Sequence, residues 1–228
     1  MDEQTRDAAK RRASESAVEA VSDGDVVGLG SGSTAEHAIR ILGDRVEEGL
    51  DIVGVTTSFQ AREIAIEKGI DLTTLDETDG HIDVTIDGAD QFAGSDLIKG
   101  GGAAHAREKI VASATDSLQI VADPTKETDV LDTVVPVEVL PDARTTVANA
   151  IRELGGEPEL RWAKRKSGPV VTDNGNLLFD ADFGAIEDPE TLATEIATIP
   201  SVVEHGIFPG YADAVHMGTE DGVTVFEY

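Results

Sequence analysis

Four short segments of the 228-residue chain set chemically capable side chains beside glycine or at a turn. The first, Gly28-Leu29-Gly30-Ser31-Gly32-Ser33-Thr34, stands between a strand-like run and a helix-like one. Its glycines permit a tight turn, and successive N–H groups with the Ser and Thr hydroxyls would converge on an anion at a helix start, which suits a phosphate. The segment also reads as a plain strand-to-helix turn. Nucleotide fingerprints do not fit: no Gly-Lys-Ser/Thr follows, position 33 is Ser where the dinucleotide motif has Gly, and Val55-Thr56-Thr57 offers no ribose-binding acid. The phosphate therefore belongs to something small. In the second segment, Asp87-Gly88-Ala89-Asp90, two carboxylates can converge on one ligand or form a solvated turn. The third runs from Lys99-Gly100-Gly101-Gly102 to Arg107-Glu108-Lys109. Here Lys99 can reach developing negative charge, while Glu108 can point back to the same cleft from the first two turns of a helix. A carboxylate base near a lysine electrophile is what proton abstraction beside a carbonyl needs. Taken singly, Lys99 also reads as a surface charge and Glu108 as an ordinary helical Glu. Last, Lys126 in Asp123-Pro124-Thr125-Lys126 could steady a hydroxyl or a phosphate; otherwise it is loop.

The elements that must carry these segments follow from hydrophobic spacing. Residues 2–21 place Ala8, Ala9, Ala13, Ala17, Val18 and Val21 at helical intervals, and Asp25 to Leu29 reads as a strand. Ala35 to Leu42 is helical, Ile52 to Val55 a short strand, and Phe59 to Glu67 helical again. Ile82 to Ile86 and Leu118 to Ala122 read as strands flanking a helix from about Ala103 to Ala114. This alternation predicts an α/β fold: a doubly wound, mainly parallel, Rossmann-like sheet with its ligand at the carboxyl ends of the strands, where all four segments lie. The pattern changes after Asp123-Pro124. Val134 to Leu140 (strand), Ala143 to Leu154 (helix), Pro158 to Ala163 (strand), a hairpin of Pro169 to Thr172 and Leu177 to Phe179 around Asp173-Asn174-Gly175, Pro189 to Thr198 (helix) and Val202 to Phe208 (strand) form a βαββαβ, ferredoxin-like α+β unit. The domains are therefore expected at 1–131 plus 206–228 and at 132–205, with Ala214 to Met217 and Val223 to Phe226 returning to the main sheet.

Composition narrows the function classes. With 45 Asp plus Glu against 18 Lys plus Arg, the formal charge is −27, spread along the whole chain. Such a surface repels phosphate backbones and anionic membranes, so neither a nucleic acid nor a membrane is expected as partner. The charge fits a surface adapted to concentrated salt, where at about 1 M the Debye length is only ~3 Å; a globally acidic partner surface is the alternative. The chain has no Cys, which excludes disulfides and thiol nucleophiles. No apolar run approaches a membrane span and the amino terminus lacks a signal peptide's apolar centre, so a soluble cytoplasmic protein is expected. His37, His81, His105, His205 and His216 show no metal-ligand spacing, and neither metal nor other cofactor is expected.

Taken together, Gly30 to Thr34, Asp87 to Asp90, Lys99 to Ala104 with Arg107-Glu108-Lys109, and Asp123 to Lys126 resemble, in order and spacing, ribose-5-phosphate isomerases of the A type. Val137 to Pro141, Val170 to Asn176 and Gly206 to Phe208 resemble that family's small domain and its return, so the likeness covers nearly the whole chain. The resemblance implies metal-free aldose–ketose isomerisation of D-ribose 5-phosphate and D-ribulose 5-phosphate through an enediol(ate), in the non-oxidative pentose phosphate pathway. It implies Glu108 as proton acceptor between C1 and C2, Asp87 and Asp90 for hydroxyl protons and ring opening, and Lys99 for the enediolate oxygen. Ser31, Gly32, Ser33 and Thr34 would hold the phosphate. Gly88 and Ala89 would contact the sugar, Gly100, Gly101 and Gly102 would let the backbone approach it, and Lys126 would be a further contact. A homodimer or homotetramer is implied as well. Lys10 could also reach the phosphate, but the segment around it matches loosely and it is not counted among the site residues. Gln91 departs from the pattern, standing where the family often has Glu. Related α/β folds carry CoA transfer, amino-sugar phosphate deamination and sugar-phosphate sensing, and the run of Lys99-Gly100-Gly101-Gly102 into Arg107-Glu108-Lys109 favours the isomerase over these.

Overall fold

The computed structural model describes residues 2–228. In chain order its elements are α1 (Glu3–Ala17), β1 (Val26–Leu29), α2 (Gly32–Glu47), β2 (Val53–Thr56), α3 (Phe59–Glu67), β3 (Asp71–Leu72), β4 (Ile82–Gly88), β5 (Gln91–Ala93), β6 (Asp96–Ile98), α4 (His105–Ser113), β7 (Thr115–Ala122), β8 (Val135–Val139), α5 (Arg144–Glu153), β9 (Glu157–Leu160), β10 (Leu177–Asp182), α6 (Pro189–Ala197), β11 (Val202–His205), β12 (Ile207–Phe208), β13 (Ala214–Gly218) and β14 (Val223–Glu227). They pack as two compact units. One takes the chain up to Ala89 with Arg107–Glu127 and Tyr211–Tyr228; the other takes Asp90–Ala106 and Thr128–Gly210.

The first unit is built on a seven-stranded sheet of order β14-β13-β7-β4-β1-β2-β3, parallel except for β14. From β1 the chain winds outward to β2 and β3, then returns to the other side of β1 as β4. Strand order therefore reverses between β1 and β4, and their carboxyl ends border a crevice, the usual ligand position of such sheets. With few aromatics available, the core is aliphatic: Val27, Leu29 and Ile86 from strands meet Ala38, Ile39 and Leu42 of α2 and Ala61, Ile64 and Ala65 of α3. Each fully buried Ile or Leu contributes about 1.5–3 kcal/mol. On α1 the buried residues Ala9, Ala13 and Ala17 recur every fourth position, so this helix can lie close on the sheet. The approach is tight enough that a Cβ on Gly218 of β13 would lie 1.9 Å from the carbonyl oxygen of Ala9. No helix among the described residues is long and apolar enough to cross a membrane.

The second unit holds an antiparallel four-stranded sheet of order β11-β8-β10-β9. With α5 and α6 this is the βαββαβ, ferredoxin-like arrangement. It also holds a small antiparallel sheet, β12-β6-β5. Ile98 of β6 and Ile207 of β12 share one apolar core with Val135, Val137 and Phe179. The unit thus takes in residues 90–106 beside the 132–205 stretch. Two local expectations differ in detail. Val202 to Phe208 is not one strand: it breaks at Gly206 into β11 and β12, which belong to different sheets. Pro169 to Thr172 forms isolated bridges, Trp162 with Pro169 and Val171 with Leu177, instead of a continuous strand.

Candidate active site

In the first unit the crevice between β1 and β4 is organised by one carboxylate. Asp87, at the end of β4, is 1% exposed. Its Oδ1 accepts the backbone N–H of Ser31 at 2.9 Å and that of Gly88 at 2.7 Å. The fit is possible because residue 30 is glycine: a Cβ there would lie 2.3 Å from Asp87 Oδ1. Beyond β1 the chain turns through Ser31, extended at φ −115° and ψ 160°, into α2. Gly32 has φ +88° with no heavy atom near its missing Cβ, a conformation glycine adopts without strain.

Donors at this helix start divide into two groups. The Thr57 hydroxyl donates to the Leu29 carbonyl at 3.0 Å, so at 2.7 Å it accepts from the Ser31 hydroxyl. Ser31 therefore spends its N–H on Asp87 and its O–H on Thr57. It anchors the turn. Ser31 makes no side-chain cap, so the first N–H groups of α2, at Gly32, Ser33 and Thr34, have no partner within the helix. Together with the positive end of the helix dipole they form a ready anion seat. A cation completes it. Lys10 of α1, half-buried, donates from Nζ to the Ser33 hydroxyl oxygen at 2.9 Å. The sequence marks Lys10 only through a loosely matching segment, because its place depends on the packing of α1 against α2. A second helix contact, from the Ser14 hydroxyl to the Thr34 carbonyl at 3.0 Å, holds α1 there.

Glu108 stands in the first turn of α4 and is 5% exposed. An acid at that place is favoured by the helix dipole. α4 leads into β7, and Asp123 follows that strand. Its Oδ1 accepts the Thr125 N–H at 2.9 Å and the Thr125 hydroxyl at 2.5 Å, which closes the turn carrying Lys126. Ser31, Gly32, Ser33, Thr34, Asp87, Gly88, Ala89, Glu108 and Lys126 thus all belong to the first unit; all but Glu108, which opens α4, lie at or just beyond the carboxyl ends of β1, β4 and β7.

Asp90 and Lys99 to Gly102 belong to the second unit. The Asp90 N–H donates to the Ile98 carbonyl at 2.8 Å, and its Oδ2 accepts the Gly101 N–H at 2.6 Å. Lys99 is 3% exposed, donates its own N–H to the Gly206 carbonyl at 2.8 Å, and carries its ammonium 5.7 Å from the Phe208 ring centroid. This is within cation–π range. Glycine at 206 permits the approach, since a Cβ there would lie 2.2 Å from the Lys99 carbonyl oxygen. Gln91 donates its amide to Asp132 Oδ1 at 2.6 Å, while its Oε1 accepts the Asp132 and Thr133 N–H groups at 2.8 and 3.0 Å. A glutamate at this position could not donate to Asp132. Among the described residues no group of three or more His, Cys, Asp or Glu could hold a metal ion.

Comparison with known proteins shows the family. The family model for ribose 5-phosphate isomerase A (phosphoriboisomerase A) matches residues 53–222. The chain is 63% identical to ribose-5-phosphate isomerase A of Halorubrum lacusprofundi, over 96% of each chain. Its likeness to that of Haloarcula marismortui is 61%, over 96% of this chain and 95% of the other. Among solved structures, ribose 5-phosphate isomerase A of Methanocaldococcus jannaschii is 43% identical with a TM-score of 0.92, covering 97% of this chain and 99% of that one. A D-ribose-5-phosphate isomerase in complex with phospho-erythronic acid is 40% identical with a TM-score of 0.95, each chain being covered in full at 100%.

Proposed function

The chain belongs to the ribose 5-phosphate isomerase A family and interconverts D-ribose 5-phosphate and D-ribulose 5-phosphate, and we propose that Glu108 is the group that moves the hydrogen. The Glu108 carboxylate takes the proton from C2 of the open aldose. The electron pair of that C–H bond forms the C1–C2 double bond, and the C1 carbonyl oxygen becomes an enediolate oxygen, which the Lys99 ammonium stabilises. Glu108 returns the proton to C1, while a proton passes from O2 to O1. Asp87 and Asp90 handle the hydroxyl protons and the opening of the furanose ring. No redox partner is consumed, since one carbon is oxidised as its neighbour is reduced.

The phosphate rests on the N–H groups and hydroxyls of Gly32, Ser33 and Thr34, with Lys10 as a cation beside Ser33 and Ser31 as the anchor of the turn. Gly88, Ala89 and Gly100 to Gly102 face the sugar with backbone, and Lys126 is a further contact. The observation that carries this reading is the Asp87 carboxylate tied to the Ser31 N–H at the strand-order reversal, which couples the phosphate turn to a catalytic acid. The phospho-erythronic acid bound by a structural neighbour supports the same ligand class here. A homodimer or homotetramer in a salt-rich cytoplasm is part of this reading, supported by family membership and by a charge of −27 with only 7 Lys among 18 bases.

The direct test is isomerisation of ribose 5-phosphate in concentrated KCl, with and without a chelator, for the parent and Glu108→Gln. Loss of turnover in the variant by at least about a hundredfold, with substrate binding retained, is expected for a general base. Turnover near the parent's would remove Glu108 from the mechanism.

A further inference from the structure

The basic stretch from Arg161 to Lys166 has no part in the functions assigned above, yet its first residue is the one cation in it that is well covered. Arg161 follows β9, and its side chain is 17% exposed. Nε donates to Asp180 Oδ2 at 2.9 Å and Nη2 to Asp180 Oδ1, a bidentate pair with a residue of β10. The remaining arm, Nη1, points at the glycine run. It donates to the Gly101 carbonyl at 2.9 Å and to the Gly100 carbonyl at 3.1 Å. Within the second unit, then, one guanidinium joins a strand carboxylate to the two peptides that immediately follow Lys99.

Those peptides have little else to hold them. A run of three glycines lacks side chains, and fixing each residue costs about 1–2 kcal/mol of backbone entropy. Gly100 takes φ +105°, and a Cβ on it would lie 2.8 Å from the His105 ring, so no side chain could be added to brace it. Its carbonyl also accepts the Ala103 N–H at 2.9 Å. On the far side of the same peptides, the Gly101 N–H is held by Asp90 at 2.6 Å. The Gly101 residue is thus gripped at its N–H by a proposed catalytic acid and at its carbonyl by Arg161.

We propose that Arg161, aimed by Asp180, is a positioning residue for the isomerisation: it clamps the Gly100 and Gly101 carbonyls and so fixes the backbone from which Lys99 and Asp90 work. The inference rests on the roles given above to Lys99 and Asp90. Only arginine suits the task. Its planar fork serves a carboxylate with one edge and two carbonyls with the third nitrogen, whereas a lysine ammonium is a single point charge.

The test compares the parent with Arg161→Lys, Arg161→Ala and Asp180→Asn by steady-state isomerisation, by inhibition with inorganic phosphate, and by thermal unfolding. The parent is assayed first; a parent without turnover counts against the isomerase roles themselves, whatever the variants do. With the parent active, Arg161→Lys is expected to lose about tenfold in kcat and Arg161→Ala about a hundredfold, the scale of a misplaced catalytic group. The inhibition constant of phosphate stays within about twofold, because its seat is at Gly32 to Thr34. Guanidinium ion at non-denaturing concentration restores part of the kcat of Arg161→Ala, and equal potassium does not. Asp180→Asn, which keeps the guanidinium but weakens its orientation, gives the same kcat-only loss in smaller measure and serves if Arg161→Ala does not fold. A folded Arg161→Lys with the parent's kcat, or a loss of phosphate affinity parallel to that of kcat, overturns the clamp.

Discussion

Replacing Gly30 by Ala adds one methyl group and should cost nearly all activity. The new Cβ would lie 2.3 Å from Asp87 Oδ1, 2.4 Å from its Cγ and 2.5 Å from its Cα, against an ordinary contact of 3.4–4 Å. Because one of the three atoms is backbone, no rotamer change relieves the clash, and the ends of β1 and β4 must separate by about 1 Å. Two hydrogen bonds to the Asp87 carboxylate, from Ser31 and Gly88, sit in that gap. Overpacking of this kind destabilises by about 1–3 kcal/mol, which lowers Tm by about 2–4 °C per kcal/mol for a chain of this size. The catalytic cost is larger, since a 1 Å misplacement of a catalytic group lowers the rate by about a hundredfold. Gly49→Ala separates the two effects. Gly49 has φ +113° with no atom within 4 Å of the missing Cβ, so its variant bears backbone strain alone, of about 1–2 kcal/mol. Turnover of ribose 5-phosphate and thermal unfolding are measured for both. The expected result is similar loss of stability with loss of kcat confined to Gly30→Ala; a Gly30→Ala enzyme within about threefold of the parent's kcat would refute the placing of Asp87 in the chemistry.

Two further outcomes follow from groups outside the site. Glu138, fully buried, accepts from the Thr172 hydroxyl at 2.8 Å and from the amides of Asn174 and Asn176 at 3.1 and 2.8 Å; Glu138→Ala should cost about 3 kcal/mol or more in denaturant unfolding and Glu138→Gln clearly less, a loss below about 1 kcal/mol for the Ala variant contradicting the reading. His216 lies with its ring nitrogens 2.9 Å from the Ser16 hydroxyl and 2.8 Å from Gln119 Oε1, and burial holds its pKa below the ordinary 6.5. The unfolded chain therefore binds the proton first, so stability is full above pH 6.5 and falls as pH drops through 6.5 toward the lower folded value. His216→Gln should flatten that part of the stability curve, and an unchanged slope would show that other groups set it.

Apart from the two-residue β3, the parallel sheet was legible because its strands are short apolar runs near a glycine or acidic turn, the pattern a strand buried on both faces requires. Residues 91–98 were not legible as strands. Gln91-Phe92-Ala93-Gly94-Ser95-Asp96-Leu97-Ile98 has too few β-branched residues; β5 and β6 pair with each other as a hairpin, and the third strand of their sheet, β12, lies more than a hundred positions away in the chain. The break at Gly206 did carry a signal, since an isolated glycine in a strand pattern marks a bend or a close approach; the approach is to the Lys99 carbonyl. Within the candidate site, motif residues could be named because glycine, lysine and carboxylate stand together in short segments. Lys10 stood only in a loosely matching segment, and Arg161 could not be named. One acts across a helix–helix contact and the other across a sheet, and neither distance leaves a spacing in the sequence.

Strand β7 gains its outer neighbour, β13, only after the whole stretch Thr128–Gly210 has been laid down between them. A chain still on the ribosome can therefore pair β1 to β4 and β7 while Leu118 to Ala122, buried in the finished sheet, keep one side of their backbone open. Such an edge recruits strands from other molecules. Like charge on the nascent chains opposes that recruitment, but in about 1 M salt the repulsion reaches only ~3 Å. At that ionic strength the acidic surface gives little shelter, and the time needed to translate the second unit sets how long the half-built sheet is exposed to its neighbours.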